Sequence, residues 1–585
     1  MILKRETGSR QHILLMSVCY FLPFALLFLI DISFFKRPYY AFPNDATPGM
    51  FGLGLGWLTG APKEIFHIPG HTFNQITAFL ILAVGQPTHD LAALNSLGVA
   101  LQIVFTILAS LWAGWILSRL SAGPLLAIAL GAITATMPTM ALHATIWHIY
   151  YPTGLVIAPA CLALLCALAA QKPSPTIAWT SFAGLAFAAA NHFGTLILFV
   201  AIATALFAAG WRHPSIVLDR IARAGSATAL ETIFLAIGIA AASITVLFLL
   251  RPRWWPQYMV IATVIGAVVG ICATFAFRLS GALIDRLARG IALPSLLGWL
   301  VGANLAFGAW GISARLAFTQ KGGASSGYSA METFSTLKLI EYINEWKWHW
   351  FIIMLVGIGM YGLTRGRQKS KFDHVRMFVS VFCLIAVFLN TLVVADMTLI
   401  KGARGIQLFG QSSRYFVMMI GPVAVGLAWL MGQATGRFVA ILVAMVLIGA
   451  SADYWRAVSS TSIEIEANRH LESLVKNHLS GNSGNIIVCR RASLPVQCGV
   501  LYGYNNYRTD ESIARLPRTE LASGRILYLS DGTSQSDLDS LRNLGKQTKG
   551  SVLIIHEDTP GLVPFIEPIW KDAQSGTIVS LLRKP

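Results

Sequence analysis

Four side chains able to do polar chemistry crowd one short stretch, "FPNDATPGMFGLGLGWLTGAPKEIFHIPGHTFNQ" (residues 42–75): Asp45, Glu64, His67 and His71. A carboxylate such as Asp45 can take a proton from an attacking hydroxyl, the work of a general base. Glu64 is a second carboxylate in the same stretch. His67 and His71 are four apart, a spacing that would share a helix face. Pro69 and Gly70 lie between them, however, and there is no HExxH pattern, so a zinc site is not expected: one His reads as a donor to an anion, or both as plain polar loop residues. Farther on, Arg414 opens an apolar run in "SSRYF", and Lys401 and Arg404 lie in "LIKGARG" just before it. An ionisable residue at the edge of a membrane segment is a functional candidate by default, and a cation there suits an anionic headgroup. The alternatives are structural. Asp45 in "PND" also suits an Asx turn or a helix cap, and Arg414 could simply snorkel to lipid headgroups.

Most of the chain serves to place these residues in a membrane. Of 585 residues, 55% are hydrophobic and 12% charged, with a mean hydropathy of +0.62; a soluble globular chain carries about 25% charged residues. Apolar runs long enough to cross a bilayer, about 20 residues each, recur at 12–33, 93–117, 122–138, 151–170, 176–190, 193–210, 229–250, 258–277, 291–316, 350–364, 377–396, 414–432 and 438–455. That makes about thirteen spans, of which 176–210 could be one long helix. The first run is too long for a signal-peptide core and lacks a small-residue cleavage site, so it reads as an uncleaved anchor.

Charge sets the orientation. With the N-terminus inside, the inner loops hold 17 Lys and Arg in 68 residues and the outer loops 10 in 130. Positive charge gathers on the cytoplasmic side, so the formal charge of +17 is topological and calls for no nucleic-acid partner. Residues 34–92 become the first external loop, in which 72–85 is apolar but too short to span and reads as a membrane-surface helix. A second external loop, 317–349, carries Glu332, Glu341 and Glu345, and an interfacial set of tryptophans, Trp346, Trp348 and Trp350, stands at its end and the start of the next span.

After residue 455 the composition changes. Residues 456–585 hold 15 basic and 13 acidic residues and four β-rich runs at 485–489, 525–531, 551–557 and 577–582. The alternation with helix-compatible stretches predicts a small α/β domain on the extracytoplasmic (periplasmic) side of an inner or plasma membrane. Cys489 and Cys498 in "CRRASLPVQC" are expected to pair as a disulfide in that oxidising compartment.

Several segments together resemble the GT-C superfamily of polytopic membrane glycosyltransferases, which use polyprenyl-phosphate sugar donors and include the dolichyl-phosphate-mannose–protein mannosyltransferases. An acidic residue follows the first helix ("PNDATPG"), and "EIFHIPGHTFNQITAFLILAVG" resembles the family's His-Pro-Gly element and juxtamembrane helix. "HDLAALNSLGVALQIVFTILASLWAGWILSRL" is similar to its second helix, "GLAFAAANHFGTLILFV" to a mid-membrane segment, and "GQSSRYFVMMIGPVAVGLAWL" to its late Arg-Tyr helix. Asp45 is followed by Ala46 where many members carry a second acidic residue, and "HIPG" is one residue longer than the family element.

The resemblance implies a mainly α, GT-C-like module over residues 1–455. It implies transfer of a hexose or pentose from a polyprenyl-phosphate donor to a cell-envelope glycan, lipid or protein acceptor. Asp45 would be the base and Glu64 an accessory carboxylate. Arg414, with Lys401, Arg404, His67 and His71, would hold the donor phosphate. A divalent cation such as Mg2+ or Mn2+ is left open. Rival readings are a surface-polysaccharide polymerase or ligase, which should place its largest loop late in the chain, and a lipid or sugar transporter (flippase), which should show an internal repeat with broken helices.

Overall fold

The computed structural model describes residues 10–35, 70–84, 91–120, 122–169, 175–192, 195–212, 349–364, 373–400 and 414–433, strands and a turn between 486 and 583, and a few isolated positions. The proposed spans 229–250, 258–277 and 291–316 lie outside the described residues, as do the loop 317–348 and most of 438–455.

Helix α1 (Arg10–Ile30) ends in a π-helical turn, Asp31–Phe35. Then come α2 (His71–Val84), α3 (Leu91–Arg119), α4 (Pro124–Thr136), α5 (Pro138–His143), α6 (Tyr150–Ala169), α7 (Pro175–Asn191) and α8 (Leu196–Arg212). Farther on are α9 (His349–Thr364), α10 (Asp373–Ile400), a 3-10 turn (Arg414–Met419) and α11 (Ile420–Gln433). Four of these helices are long and apolar enough to cross a membrane, over Arg10–Ser33, Asn95–Arg119, Tyr150–Ala169 and Asp373–Asn390. The chain is accordingly an integral membrane protein.

Local sequence explains where the helices break. Pro124, Pro138 and Pro175 each stand at a helix start, where the missing N–H costs nothing and φ is already helical. Ahead of Pro138, Met137 is extended (φ −56°, ψ 131°), because a residue before proline is pushed out of the helical region. The stretch 176–210 is two helices: α7 stops at Asn191 and the chain breaks at His192. There the Thr195 hydroxyl donates to the His192 carbonyl at 2.6 Å.

Helix α6 is the central element, with 89% of its span buried. It packs against α3, α7 and α11. Small residues admit these neighbours: a Cβ on Gly184 of α7 would stand 2.9 Å from the Ala160 side chain, and one on Gly421 of α11 2.7 Å from Cys161 Sγ. Close backbone approach of this kind is the usual means of packing helices in lipid. At the far end of α6, His374 of α10 donates Nε2–H to the Leu168 carbonyl at 3.1 Å, satisfying one of the last-turn carbonyls that a helix leaves unpaired.

The C-terminal strands form one five-stranded sheet, β1 (Ile486–Arg490), β2 (Ile526–Leu529), β3 (Val552–His556), β4 (Ile566–Lys571) and β5 (Ile578–Leu582), in the order β2-β1-β3-β5-β4. The β1 pairings to β2 and β3 are parallel; β5 pairs antiparallel with β3 and β4. The four predicted β-rich runs are four of these strands. The fifth, "IEPIWK", carries Pro568 beside a bulge and lies at the sheet edge, where a proline removes no ladder bond.

Candidate functional site

The hydrogen bonds between helices gather polar side chains at one end of the bundle. The turn 144–149 before α6 is the hub. Asn95, in the first turns of α3, accepts the Trp147 backbone N–H at 3.0 Å and donates to the Thr145 carbonyl at 3.4 Å. Gln102, two turns farther along the same helix, donates to the Ile146 carbonyl at 3.0 Å. These two amides thus satisfy three buried backbone groups of a turn that has no ladder of its own. Trp147 is fixed from the other side: its indole N–H donates to Thr77 Oγ1 at 3.0 Å and its ring stacks on Phe73 at 4.5 Å.

Three further segments join the hub. The Thr145 hydroxyl donates to the Asp31 carboxylate at 3.0 Å, bringing in the π-helical end of α1. Phe73 N–H of α2 donates to Asn191 Oδ1 at 2.9 Å, bringing in the end of α7. Gly70 has φ +109°, and a Cβ on it would stand 2.9 Å from Ile149 Cγ2. Only glycine adopts that conformation freely, so the glycine of "HIPGH" is what lets α2 begin against the hub.

A cluster of rings occupies this end. His143 and His148 lie 4.6 Å apart, His148 stacks on Tyr150 at 4.7 Å, and Tyr150 meets His192 edge-on at 5.1 Å. The Tyr150 N–H donates to His148 Nδ1 at 3.3 Å, so in the neutral ring the proton sits on Nε2. Burial, with help from the neighbouring His143 and His192, holds His148 well below the usual imidazole range. Burial also pushes His192 down to about 4. Both are therefore neutral near pH 7, able to donate a hydrogen bond to an oxyanion or relay a proton without carrying charge.

Among the described residues, no three His, Cys, Asp or Glu side chains come together as metal ligands. His143 and His148 lie ring against ring rather than converging on a point.

Of the residues singled out in the sequence, Asp45, Glu64, His67, Lys401, Arg404 and Cys498 lie outside the described residues. The backbones of His71, Arg414 and Cys489 are described. His71 follows Gly70 at the hub. Arg414 reaches the same end by helix direction. Gly154 of α6 faces Val417 and Ile420, and Gly421 faces Cys161, so α11 runs alongside α6 in the same sense. The Arg414 backbone, three residues before Val417, is thus level with the start of α6. Cys489 lies in β1, paired with Tyr528 and Ile555. The sequence reading missed Asp31, His143, His148 and His192 as a group. Asp31 was counted within the first apolar run, although a carboxylate at the end of a span was a signal that could have been used.

No protein-family model matches the chain, and no curated protein sequence does. Solved structures that align along nearly its whole length include two of one protein. The crystal structure of ArnT from Cupriavidus metallidurans in the apo state is 13% identical, covering 96% of this chain and 97% of that one, with a TM-score of 0.34. The same protein bound to undecaprenyl phosphate is 12% identical, covering 98% and 97%, with a TM-score of 0.31. Overlap at that level does not establish a common fold.

Proposed function

We propose that this chain is an integral-membrane glycosyltransferase of the GT-C kind, moving a hexose or pentose from a polyprenyl-phosphate donor to a cell-envelope glycan, lipid or protein. The bond from the sugar's anomeric carbon to phosphate breaks as the bond to the acceptor oxygen forms. The acceptor's proton passes to the base and polyprenyl phosphate leaves. Asp45 is the base in this reading, with Glu64 the next carboxylate. Arg414, Lys401, Arg404, His67 and His71 balance the charge that develops on the departing phosphate, a task for preorganised cations and N–H donors. The N-terminus is cytoplasmic, the chain crosses about thirteen times, and 456–585 is an extracytoplasmic α/β domain.

The observation that supports this most is the approach of Gly70 to Ile149. It brings Gly70, the described start of an element that carries much of the resemblance, against the segment that holds His148 and Tyr150, at the end where the helix beginning with Arg414 starts. A transporter would instead centre its polar groups near the bilayer midplane on broken helices; here the cluster of described polar side chains lies where helices begin and end. Membranes containing the protein should transfer label from polyprenyl phosphate bearing a radiolabelled hexose or pentose into envelope lipid, glycan or protein. Absence of transfer across a panel of both sugar classes, with the protein intact in the membrane, would overturn the reading.

A further inference from the structure

Helix α2 carries one polar side chain that its surroundings leave unanswered. Asn74 is 1% exposed, and neither its amide N–H group nor its carbonyl oxygen has a hydrogen-bond partner. Phe73 and Thr77, on the same helix, are both engaged. Phe73 N–H is bonded to Asn191, and Thr77 donates to the Phe73 carbonyl while accepting the Trp147 indole N–H. The Asn74 backbone N–H itself closes the first turn on the Gly70 carbonyl at 2.7 Å. The side chain turns back toward the helix start: Nδ2 lies 3.8 Å from where a Cβ on Gly70 would stand, and that point touches Ile149, between His148 and Tyr150. Burying an amide without partners is costly, and a group left so in a native fold calls for a reason. Leucine, similar in size, would fill the space without that cost.

We infer that Asn74 reads hydroxyl groups of the transferred sugar and so helps determine which sugar the site accepts; this rests on the glycosyltransferase reading above. The chemistry follows from what the amide lacks. It needs an acceptor for its N–H and a donor for its oxygen at the same time. A phosphate dianion only accepts and would leave the carbonyl unpaired, while an isoprenoid chain does neither. Hydroxyl groups on a ring both donate and accept, so an adjacent pair can satisfy both atoms. Sites built to bond a hydroxyl discriminate strongly against analogues that lack it, because the protein group is then stranded.

The test compares binding of polyprenyl phosphate alone with binding of polyprenyl phosphate carrying single hexoses and pentoses, using purified full-length protein in lipid nanodiscs. The wild-type protein should bind at least one sugar-bearing lipid tighter than bare polyprenyl phosphate by about tenfold, the worth of one or two neutral hydrogen bonds. In Asn74→Leu that increment should vanish, affinity for bare polyprenyl phosphate should persist, and thermal stability should be unchanged or raised. Asn74→Ala, which removes the amide without adding bulk, should lose the increment as well. An equal increment in the wild type and both variants, or none for any sugar in the wild type, overturns the role of Asn74. Failure of the wild-type protein to bind polyprenyl phosphate at all overturns the glycosyltransferase reading itself, and the role of Asn74 with it.

Discussion

Thr145 and Asp31, 114 residues apart in the chain, are joined by a 3.0 Å hydrogen bond from hydroxyl to carboxylate. Asp31 is fully buried at the point where α1 passes into its π-helical turn. A side-chain hydrogen bond contributes about 0.5–1.5 kcal/mol. Thr145→Val keeps the shape and deletes the donor, so it should lower stability by roughly that amount, read as a lower melting temperature in detergent. Thr145→Ser should keep most of it. If Val and Ser behave alike, the bond contributes nothing to holding the hub to α1.

Gly98 provides a steric test of the same hub. A Cβ there would stand 2.8 Å from three indole carbons of Trp147, and Trp147 is held by Asn95, Thr77 and Phe73 and cannot swing away. Gly98→Ala should therefore destabilise by about 1–3 kcal/mol. Gly357 of α9 has no atom within 4 Å of its would-be Cβ. Gly357→Ala should be neutral or stabilising, since glycine costs a helix about 1 kcal/mol relative to alanine. Equal melting temperatures for the two variants would contradict this geometry.

The buried imidazoles make stability depend on pH. His192, in the break between α7 and α8, titrates at about 4 in the folded chain, pushed down by burial; an unfolded histidine titrates near 6.5. Between those values the unfolded chain binds a proton that the folded one refuses. Stability is thus fully present above about pH 6.5 and is lost as pH falls toward 4. One such group contributes a slope of about 1.4 kcal/mol per pH unit. His148 is lowered too and adds to the same trend. Unfolding measured from pH 7.5 to 4.5 should show at least that slope, and His192→Gln should make it shallower. An unchanged slope in the variant would mean other groups carry the acid sensitivity.

The helices were legible in the sequence because lipid demands long apolar runs; α3, α6, α7 and α9 begin and end within about two residues of the expected spans. Four strands of the C-terminal sheet were legible for a similar reason, being runs of branched residues. Pro568 concealed β4, since proline argues against a strand unless it sits at an edge, and edge position is a tertiary fact. The polar end was only half visible. "HIPGH" stood out locally, but nothing near residues 143–150 says that they meet Asp31, Asn95 and His192. Those contacts join residues 42 to 114 apart, and one sequence does not record which loops share an end with which geometry. Asn95 lies in the segment that resembles the family's second helix, but its clamp on Thr145 and Trp147 needed coordinates.

The pairing of Cys489 with Cys498 is a separate test of where the tail lies. Cys489 sits in β1, between the partner strands β2 and β3. If the tail faces an oxidising compartment, an alkylating reagent should label neither thiol until the protein is reduced. Labelling of both without reductant would remove the bridge and the argument for the compartment. The apolar-segment cysteines Cys161, Cys166 and Cys383 are free and buried, so a variant with these and the remaining two, Cys19 and Cys272, replaced makes the measurement clean.

Two carboxylates compete for the role of base, and substitution separates them. Asp45, in the proline- and glycine-rich stretch that follows the first helix in the sequence, is the base under the proposed function. Asp31 is fully buried and engaged by Thr145, which suits a structural tie better than proton uptake from an acceptor. Asp45→Asn keeps size and turn-forming capacity but removes basicity. It should reduce sugar transfer by at least about 100-fold, the usual cost of losing a positioned base, with normal insertion and stability. Asp31→Asn keeps a group that can still accept from Thr145, so it should lower the melting temperature while leaving transfer within about tenfold, less than a lost base would cost. The reverse pattern, transfer abolished by Asp31→Asn and retained by Asp45→Asn, would move the base from the loop to the end of α1. Retention by both would leave Glu64 as the carboxylate to replace next.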